Sequence, residues 1–299
     1  MSMSDRLRSL FTDGTVVVPA PAAGPGNWSG APAAIWSDGF FWLAYRVRRP
    51  LDAGRGVVTV VARSRDGVSF ETVAEVHREA FGAESFERPA LARLDDGGWR
   101  LYLSCATPGS KHWWVEAVDA ATPEEFPSGR RTVVLPGSDL VGVKDPVIVR
   151  DGELWRLWLC CHPLDVPGAE DRMTTRYLSS ADGLDWTDHG IALAPRGDGW
   201  DARGTRVTTV LSLDPPVLLY DGRPDAASNW HEHTGMARAS APDAPLLPVG
   251  DGPIASSPLS DGALRYVSAV PLPDGGVRLY FEAARADGAH DLMTALLPG

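Results

Sequence analysis

Two carboxylates in this sequence have matching surroundings, each beside a basic residue and shortly before a proline. Glu87 lies in Phe86-Glu87-Arg88-Pro89, and Asp145 lies in Lys144-Asp145-Pro146. Paired carboxyl groups can divide acid–base work, one protonated as the acid and one ionised as base or nucleophile, as in the cleavage of a glycosidic bond. A neighbouring cation keeps a carboxylate ionised, whereas the acid needs a raised pKa. Since both carboxylates have a basic neighbour, the more crowded or more apolar of the two sites should hold the acid, and we assign Asp145 as base or nucleophile and Glu87 as acid.

A structural interpretation of the same two carboxylates remains open. In it, Glu87 and Asp145 form ion pairs that seal a channel, with partners among Arg203, Arg206 and Arg265. Two further carboxylates, Asp201 and Glu232, are additional catalytic candidates.

Aromatic and basic side chains near these carboxylates are candidates for sugar binding. Trp200 beside Asp201 combines a ring that stacks on a sugar with a carboxylate that accepts from its hydroxyl groups. Guanidinium groups bind carboxylates or phosphates through paired hydrogen bonds, which is compatible with a sugar acid or a phosphorylated sugar. The substrate-binding candidates are Arg88, Lys144, Arg203, Arg206, Arg265, Trp200, His231, His233, His112 and Arg172.

The triplet His231-Glu232-His233 raises the question of a metal site. Successive residues of a strand point to opposite sides, so the two histidines share one side and Glu232 faces the other. No further ligand spacing accompanies them, which favours hydrogen-bonded pocket residues over a metal held by His231 and His233. We predict no metal and no cofactor. The cysteines, Cys105, Cys160 and Cys161, also lack zinc spacing, and their positions at the ends of apolar runs predict buried free thiols.

A repeated unit must position these residues. Each copy has a short apolar run, an acidic-glycine turn and a second apolar run rich in aromatics, as in PALARLDDGGWRLYLS from Pro89. The turn aspartates Asp38, Asp96, Asp151, Asp214 and Asp274 are separated by 58, 55, 63 and 60 residues. A near-constant step of this size suits one four-stranded antiparallel blade. The sequence therefore predicts an all-β fold, a five-bladed β-propeller in one domain over residues 1–299.

The ends of the repeat predict how the ring closes and which residues share a face. The segment TVVVPAP from Thr15 is expected to complete the last blade, because a closed ring leaves no exposed strand edge. If the innermost strand of each blade starts on one face, the starts of these strands and the long loops share that face. The Asp-Gly turns then lie on the opposite face and are structural.

Composition excludes several classes of partner. The formal net charge of −11 argues against binding of nucleic acid, which usually needs a basic patch. No run of 18 apolar residues predicts a membrane span, and residues 1–14 lack the apolar core of a secretion signal. We expect a cytoplasmic protein that does not bind membranes, and we make no prediction of its oligomeric state.

The chain resembles the five-bladed propeller glycosidases of the arabinanase, xylosidase and fructosidase superfamily over nearly its whole length, and two sequence features carry this resemblance. They are the S-x-D-G-x-x-aromatic turns at Ser64 and Ser180 and the acidic residue directly before proline. The resemblance implies carboxylates at the top of innermost strands that point into a central pocket, for which Glu87 and Asp145 are the best matches. The first blade reads Ser29-Gly30-Ala31-Pro32, without the aspartate that such enzymes commonly place there.

Together these features predict a glycoside hydrolase-like enzyme that cleaves a small glycoside, of furanose or anionic type, in the central pocket. A small carbohydrate or sugar-derived ligand is the expected partner. The missing first-blade aspartate motivates the alternative, a non-catalytic or repurposed propeller that binds a sugar or another metabolite. A propeller for protein interaction is a third class, but the sequence shows no exposed apolar patch that would support it.

Overall fold

The computed structural model describes residues 3–299. In this range the chain begins with one α-helix, α1 (Met3–Thr12), and continues mostly as β-strands. Three short 3-10 helices within the same range connect strands: Leu51–Ala53, Arg78–Phe81 and Pro123–Ser128. None of the helices in this range has the length and apolarity needed to cross a membrane.

The twenty strands of the described range pair in antiparallel groups of four, called units here. Strand β1 (Thr15–Val18) belongs to the last unit. Unit 1 contains β2 (Trp28–Ser37), β3 (Phe40–Arg48), β4 (Gly56–Ser64) and β5 (Glu71–His77). Unit 2 contains β6 (Ala90–Arg93), β7 (Trp99–Ala106), β8 (Trp113–Ala120) and β9 (Arg130–Leu135). Unit 3 contains β10 (Val141–Asp151), β11 (Leu154–Pro163), β12 (Thr174–Ser180) and β13 (Thr187–Leu193). Unit 4 contains β14 (Gly204–Leu213), β15 (Pro216–Arg223), β16 (His233–Arg238) and β17 (Leu247–Pro248). Unit 5 contains β18 (Leu264–Pro271), β19 (Val277–Ala284), β20 (His290–Leu297) and β1.

The units are arranged around a central axis, as in a β-propeller. Their first strands, β2, β6, β10, β14 and β18, contact one another in this order, and β18 contacts β2. Units 1 and 5 also share one parallel bridge between Trp28 and His290, and dividing the eight-stranded sheet there separates them. The predicted all-β propeller class with four-stranded antiparallel sheets is confirmed, and this division agrees with the five repeats.

The N-terminal strand closes the last unit, as predicted. In β1, Thr15 lies opposite Thr294 of β20 and Val16 lies opposite Met293. The repeat did not predict α1, which packs Phe11 edge-on against Phe281 with ring centroids 4.9 Å apart. Buried apolar side chains on α1 therefore fix the N-terminal segment to units 4 and 5.

The Asp-Gly turns connect neighbouring units. In the turn of unit 1, the Asp66 carboxylate accepts hydrogen bonds from the backbone N–H groups of Val68 and Ser69. Gly67 has a positive φ of 72°, and its carbonyl accepts a hydrogen bond from the Tyr280 hydroxyl of unit 5. The turns thus have a structural role, as predicted.

The apolar side chains of each sheet fill the spaces between units. The three cysteines are free and buried there, as predicted, and burial raises the pKa of the Cys160 thiol to about 12. These thiols are therefore protonated packing groups rather than nucleophiles.

Near its start, the first strand of several units is interrupted by an irregularity. The register shifts between Gly30 and Ala33 in β2, between Lys144 and Val147 in β10, and between Arg265 and Ser268 in β18. At these points Ala31, Asp145 and Tyr266 have φ angles of 51°, 53° and 56°. Such bulges redirect side chains, and strained non-glycine residues cluster at functional sites.

Candidate active site

A cavity of about 370 Å³ opens at the end of the central axis where the first strands begin. Its walls come from the starts of these strands and from loops between second and third strands, as the sequence predicts. The charged lining residues are Arg46, Arg55, Glu87, Lys111, Lys144, Glu170, Asp171, Arg206, Arg223, Glu232 and Arg265. The aromatic lining residues are Trp28, Trp113, Trp230 and Tyr266.

The charges at the cavity floor come from facing positions of the first two strands in a unit. Arg206 of β14 lies opposite Asp221 of β15, and Arg265 of β18 lies opposite Glu282 of β19. In unit 1 the first strand supplies only Gly30 opposite Arg46. The absent side chain leaves room for the Glu282 carboxylate, which accepts a hydrogen bond from the Ala31 N–H at 3.1 Å.

Hydrogen bonds and ion pairs link each unit to the next around the axis. Arg46 of unit 1 pairs with Glu87 next to β6 and, at 3.1 Å, with Glu282 of unit 5. Asp145 of unit 3 pairs with Arg206 of unit 4 at 3.0 Å and accepts from the Arg88 N–H at 3.1 Å. Glu232 of unit 4 pairs with Arg265 of unit 5 at 2.5 Å. The ring is thus closed by charged groups at the cavity floor.

Glu87 combines burial with access to the cavity. It is 6% exposed, and its oxygen Oε2 contacts Arg46 and lies 3.3 Å from the Tyr266 hydroxyl, which donates to it. Burial by itself would raise the pKa of Glu87, but Arg46 and then Lys144 lower it from 4.5 to about 2. Glu87 is therefore ionised at neutral pH.

Glu232 also lines the cavity but is shared by three arginines. Its carboxylate lies 2.5 Å from Arg265, 2.9 Å from Arg223 and 3.3 Å from Arg206. Burial opposes ionisation, and the three guanidinium groups outweigh it and hold the pKa of Glu232 well below its usual value. Its oxygens are thus engaged in the floor network.

Comparison with solved structures identifies the fold. A glycosyl hydrolase from Bacteroides ovatus is 16% identical, with a TM-score of 0.64 over 93% of this chain and 90% of that one. A GH43_1 enzyme from Xanthomonas citri complexed with xylotriose is 13% identical, with a TM-score of 0.66 over 99% and 93%. The β-1,2-mannobiose phosphorylase from Listeria innocua, in complex with β-1,2-mannobiose, is 13% identical, with a TM-score of 0.65 over 92% and 90%.

This chain has the fold of the propeller glycoside hydrolases. No protein-family model and no curated protein matches its sequence. At such low identity the likeness shows the fold, so the chemistry has to be argued from the side chains.

The propeller brings together part of the predicted site. Among the predicted residues, Glu87, Glu232, Lys144, Arg206 and Arg265 line the cavity. Asp145 does not, since its carboxylate accepts hydrogen bonds from the Arg88 N–H and from Arg206 between the units, on the side of β10 opposite to Lys144. Glu87 and Asp145 therefore do not face the same cavity, contrary to the prediction that they flank a substrate.

Several other predicted residues lie outside the cavity and contact local partners. Asp201 accepts hydrogen bonds from Arg196 and the Tyr220 hydroxyl, and Trp200 stacks on Tyr220. Arg203 pairs with Asp171, and Arg172 pairs with Asp165. His112 contacts Thr107.

The remaining three predicted residues are also turned away. His231 lies 3.3 Å from Asp261, and His233 lies close to Gly262 on the same side. Arg88 donates to the carbonyl groups of Pro32 and Val267 deeper in the channel. Within the described range, no group of three His, Cys, Asp or Glu side chains is placed to hold a metal ion.

Three charged residues of the floor were missed from sequence. Arg46, Asp221 and Glu282 each follow an aromatic residue near the end of a second strand, in Tyr45-Arg46, Tyr220-Asp221 and Phe281-Glu282. A charged residue at this repeated position inside an apolar run is the signal that points to them. Burial raises the pKa of Asp221 to about 6 despite its contact with Arg206, although Asp221 does not line the cavity.

A second cavity, of about 770 Å³, opens at the opposite end of the axis. Its walls are mostly Ala, Val, Leu and Ile side chains of the first strands. Without the carboxylates found at the first cavity, it offers no comparable proton chemistry.

We expect acid to destabilise the protein through the floor carboxylates. The pKa of Glu87 falls from 4.5 to about 2 on folding, so its stabilising contribution is complete above pH 4.5 and is lost as the pH falls towards 2. The pKa of Asp221 rises from 3.8 to about 6 on folding, so this residue acts in the opposite direction. Its stabilising contribution is complete below pH 3.8 and is lost as the pH rises through 6. Folding lowers the pKa values of Glu232 and Glu282 as it does that of Glu87, so three carboxylates lose stabilising energy in acid and one gains it. The net result is a lower urea midpoint at pH 3 than at pH 6.

Asp221→Asn serves as the control for this pH dependence. Removing the opposing titration of Asp221 is expected to make the loss of stability between pH 6 and pH 3 steeper. Equal urea midpoints at the two pH values in the unmodified protein would contradict the assignment.

We expect Gly30→Ala to disrupt the floor of the cavity. A Cβ atom at Gly30 would lie 2.0 Å from Oε2 of Glu282, which is fully buried and holds both Arg46 and Arg265. Displacing that carboxylate adds overpacking to broken buried ion pairs, so we expect a loss of about 3 kcal/mol or more in the free energy of unfolding. The matched control is Gly252→Ala, because a Cβ atom there meets nothing within 4 Å. Equal urea midpoints for the two variants would show that Gly30 is not needed for space.

Proposed function

We propose that the protein is a glycoside hydrolase-like enzyme that binds a small glycoside in the 370 Å³ cavity. The observation that carries this proposal is the position of Glu87, an ionised carboxylate on the wall of a cavity that also presents tryptophan rings and cationic groups. Aromatic faces stack on sugar rings, and carboxylates and cations bind their hydroxyl groups. The cavity volume suits a mono- or disaccharide-sized ligand.

The solved structures of similar fold support a carbohydrate as the ligand. Two of them contain a bound sugar, xylotriose in the Xanthomonas citri enzyme and β-1,2-mannobiose in the Listeria innocua phosphorylase. We therefore take a small saccharide as the first ligand class to test.

In the proposed mechanism Glu87 acts as the base. A carboxylate with a pKa of about 2 is ionised at neutral pH and accepts a proton from water as the water oxygen bonds to the anomeric carbon. The glycosidic C–O bond breaks in the same step, and the leaving oxygen takes a proton from solvent or, for 4-nitrophenolate, leaves as the anion. This role reverses the assignment of Glu87 as acid that the sequence suggests, because Arg46 and Lys144 stabilise the ionised form. The Tyr266 hydroxyl, which accepts from Arg206 at 2.9 Å and donates to Glu87, orients the carboxylate.

A second candidate function is sugar binding without cleavage. The observation in its favour is that Glu87 and Glu232, the floor carboxylates that line the cavity, both have lowered pKa values, so neither is poised as an acid. The first unit has Ala31 where the glycosidases that the sequence resembles commonly have an aspartate.

Release of 4-nitrophenol from a panel of 4-nitrophenyl glycosides tests both candidates. The leaving group departs without an acid, so the assay isolates the contribution of the base. Turnover of at least one glycoside, inhibited by the corresponding free sugar, would support the enzyme. Sugar binding measured by calorimetry without any turnover would favour the binding module, and the absence of both would refute the proposed function.

A further inference from the structure

One side of the cavity contains an unusual concentration of ammonium groups. The chain has 28 Lys and Arg residues, of which only Lys111 and Lys144 are lysines. Both line the cavity, on the side formed by units 2 and 3. A lysine ammonium is a compact point charge with three donors, and it suits an oxyanion that approaches from an open space.

Lys144 is nearly buried but poorly paired. Its residue is 8% exposed, and its ammonium lies 3.7 Å from Asp145, beyond hydrogen-bonding distance. Asp145 already accepts hydrogen bonds from Arg206 and from the Arg88 N–H. No acceptor among the described residues forms a hydrogen bond with the Lys144 ammonium, which lies 4.9 Å from the Trp113 ring. The side chain is 10% exposed and lines the cavity, so its unused donors are available to water or to a bound ligand.

His162 offers a complementary acceptor in the same cavity. Its Nδ1 lies 2.7 Å from the carbonyl oxygen of Glu170, and since a carbonyl can only accept, Nδ1 carries the proton. Its Nε2 is then a bare acceptor, and it is buried without a hydrogen-bond partner in the described range. Burial and the nearby Lys144 hold the pKa of His162 well below its usual value, so the ring stays neutral. This nitrogen suits a ligand hydroxyl group.

The charges on this side do not cancel. Glu87 is neutralised by Arg46, and Glu232 by three arginines. Arg55 has only a 3.7 Å contact with Glu84, a residue with a 40% exposed side chain, so its charge is weakly compensated. Asp171 pairs with Arg203, and Glu170 lines this side of the cavity without an ion pair among the described residues. Lys144, Lys111 and Arg55 outnumber that single carboxylate, so the wall keeps positive charge in an acidic protein, and such concave sites concentrate anions.

We propose that the wall formed by Arg55, Lys111, Trp113, Lys144 and His162, called here the ammonium wall, binds an oxyanion carried by the sugar. The ligand is an acidic or phosphorylated saccharide whose oxyanion contacts Lys144 and whose neighbouring hydroxyl donates to His162. This inference rests on the proposed function and specifies its substrate class.

Binding of an oxyanion also affects Glu87. Lys144 is one of the cations that lower the pKa of Glu87. A ligand anion beside Lys144 offsets that charge, so the pKa of Glu87 rises and the carboxylate becomes a stronger base. The same contact thus contributes to affinity and to proton transfer.

Calorimetric titration with glucose, glucuronate and glucose 6-phosphate tests the ammonium wall. We expect at least one of the two anionic sugars to bind about ten- to a hundredfold more tightly than glucose at low ionic strength, as a charge-assisted hydrogen bond requires. The comparison between the two anions shows whether the oxyanion is a carboxylate or a phosphate. Lys144→Gln should abolish the preference and Lys144→Arg should restore part of it.

The control variant is Arg130→Gln, which removes one positive charge from an exposed residue outside the cavity. It should leave the preference unchanged. Equal affinity for glucose and both anionic sugars would overturn this inference and leave the proposed function standing. Absence of binding by all three sugars, extended to xylose and galacturonate, would overturn both.

Amine labelling of the unmodified protein provides a test that does not depend on the folding of a variant. With only two lysines, acetylation by an N-hydroxysuccinimide ester followed by mass spectrometry reports each ammonium separately. The bound anionic sugar at saturation should slow acetylation of Lys144 several-fold and leave that of the α-amino group unchanged. An unchanged rate at Lys144 would overturn the inference.

Discussion

Glu87→Gln is expected to lower kcat/KM for 4-nitrophenyl glycosides by about 10²- to 10⁴-fold, the usual contribution of a positioned acid or base. The amide cannot accept the proton of the attacking water, although its shape fits the same space. Folding should survive the change, because Arg46 keeps its contact with Glu282 at 3.1 Å.

Azide distinguishes loss of a base from general damage to the cavity. This anion attacks the anomeric carbon without giving up a proton, so it should restore turnover of Glu87→Gln and yield the glycosyl azide. Glu153→Gln is the matched control, since Glu153 is exposed in the turn after β10, at the opposite end of the axis. Unchanged kcat/KM in Glu87→Gln would remove Glu87 from the mechanism.

Glu232→Gln is expected to cost about 3–5 kcal/mol in the free energy of unfolding, as breaking a buried ion pair usually does. The neutral amide would leave Arg206, Arg223 and Arg265 sharing one cavity floor with less negative charge. Arg223 is affected most, because Glu232 is its only carboxylate partner in the described range, whereas Arg265 retains Glu282. Urea denaturation followed by tryptophan fluorescence measures the change.

Glu75→Gln provides the comparison for this variant. Glu75 is an exposed carboxylate on the outer strand β5, and its replacement should change the free energy of unfolding by less than about 0.5 kcal/mol. If Glu232→Gln is no less stable than Glu75→Gln, the floor network does not depend on the charge of Glu232.

The repeat pattern was sufficient to predict the propeller because its signals are local. Each unit carries its own apolar runs and its own Asp-Gly turn, and the spacing of these turns is visible without knowledge of contacts between units. The closing role of β1 followed from the need to cover a strand edge. The helix α1 was not predicted, because it is held by tertiary contacts such as that of Phe11 with Phe281.

Sequence reasoning was less complete for the cavity. It identified Glu87 and Lys144 from their positions before first strands and Glu232 from a loop between a second and a third strand, and all three line the cavity. It expected Asp145 and Glu87 to face the same pocket in different catalytic roles, yet Lys144 faces the cavity and Asp145 beside it does not. Counted from the following proline, Lys144 occupies the position of Glu87, and Asp145 occupies that of Arg88. Successive strand residues point to opposite sides, so this offset of one residue separates a cavity position from a position between units.

The sequence by itself thus determined the repeated unit, the closure of the ring and the face on which charged residues gather. The tertiary structure decided which charges meet, because partners such as Arg46 and Glu282 or Asp145 and Arg206 come from different units. The protonation of a buried carboxylate depends on these partners and on the water excluded around it, and both exist only after the units have assembled. For this reason Glu87 and Asp221, both buried carboxyl groups, have pKa values of about 2 and about 6 in the folded protein.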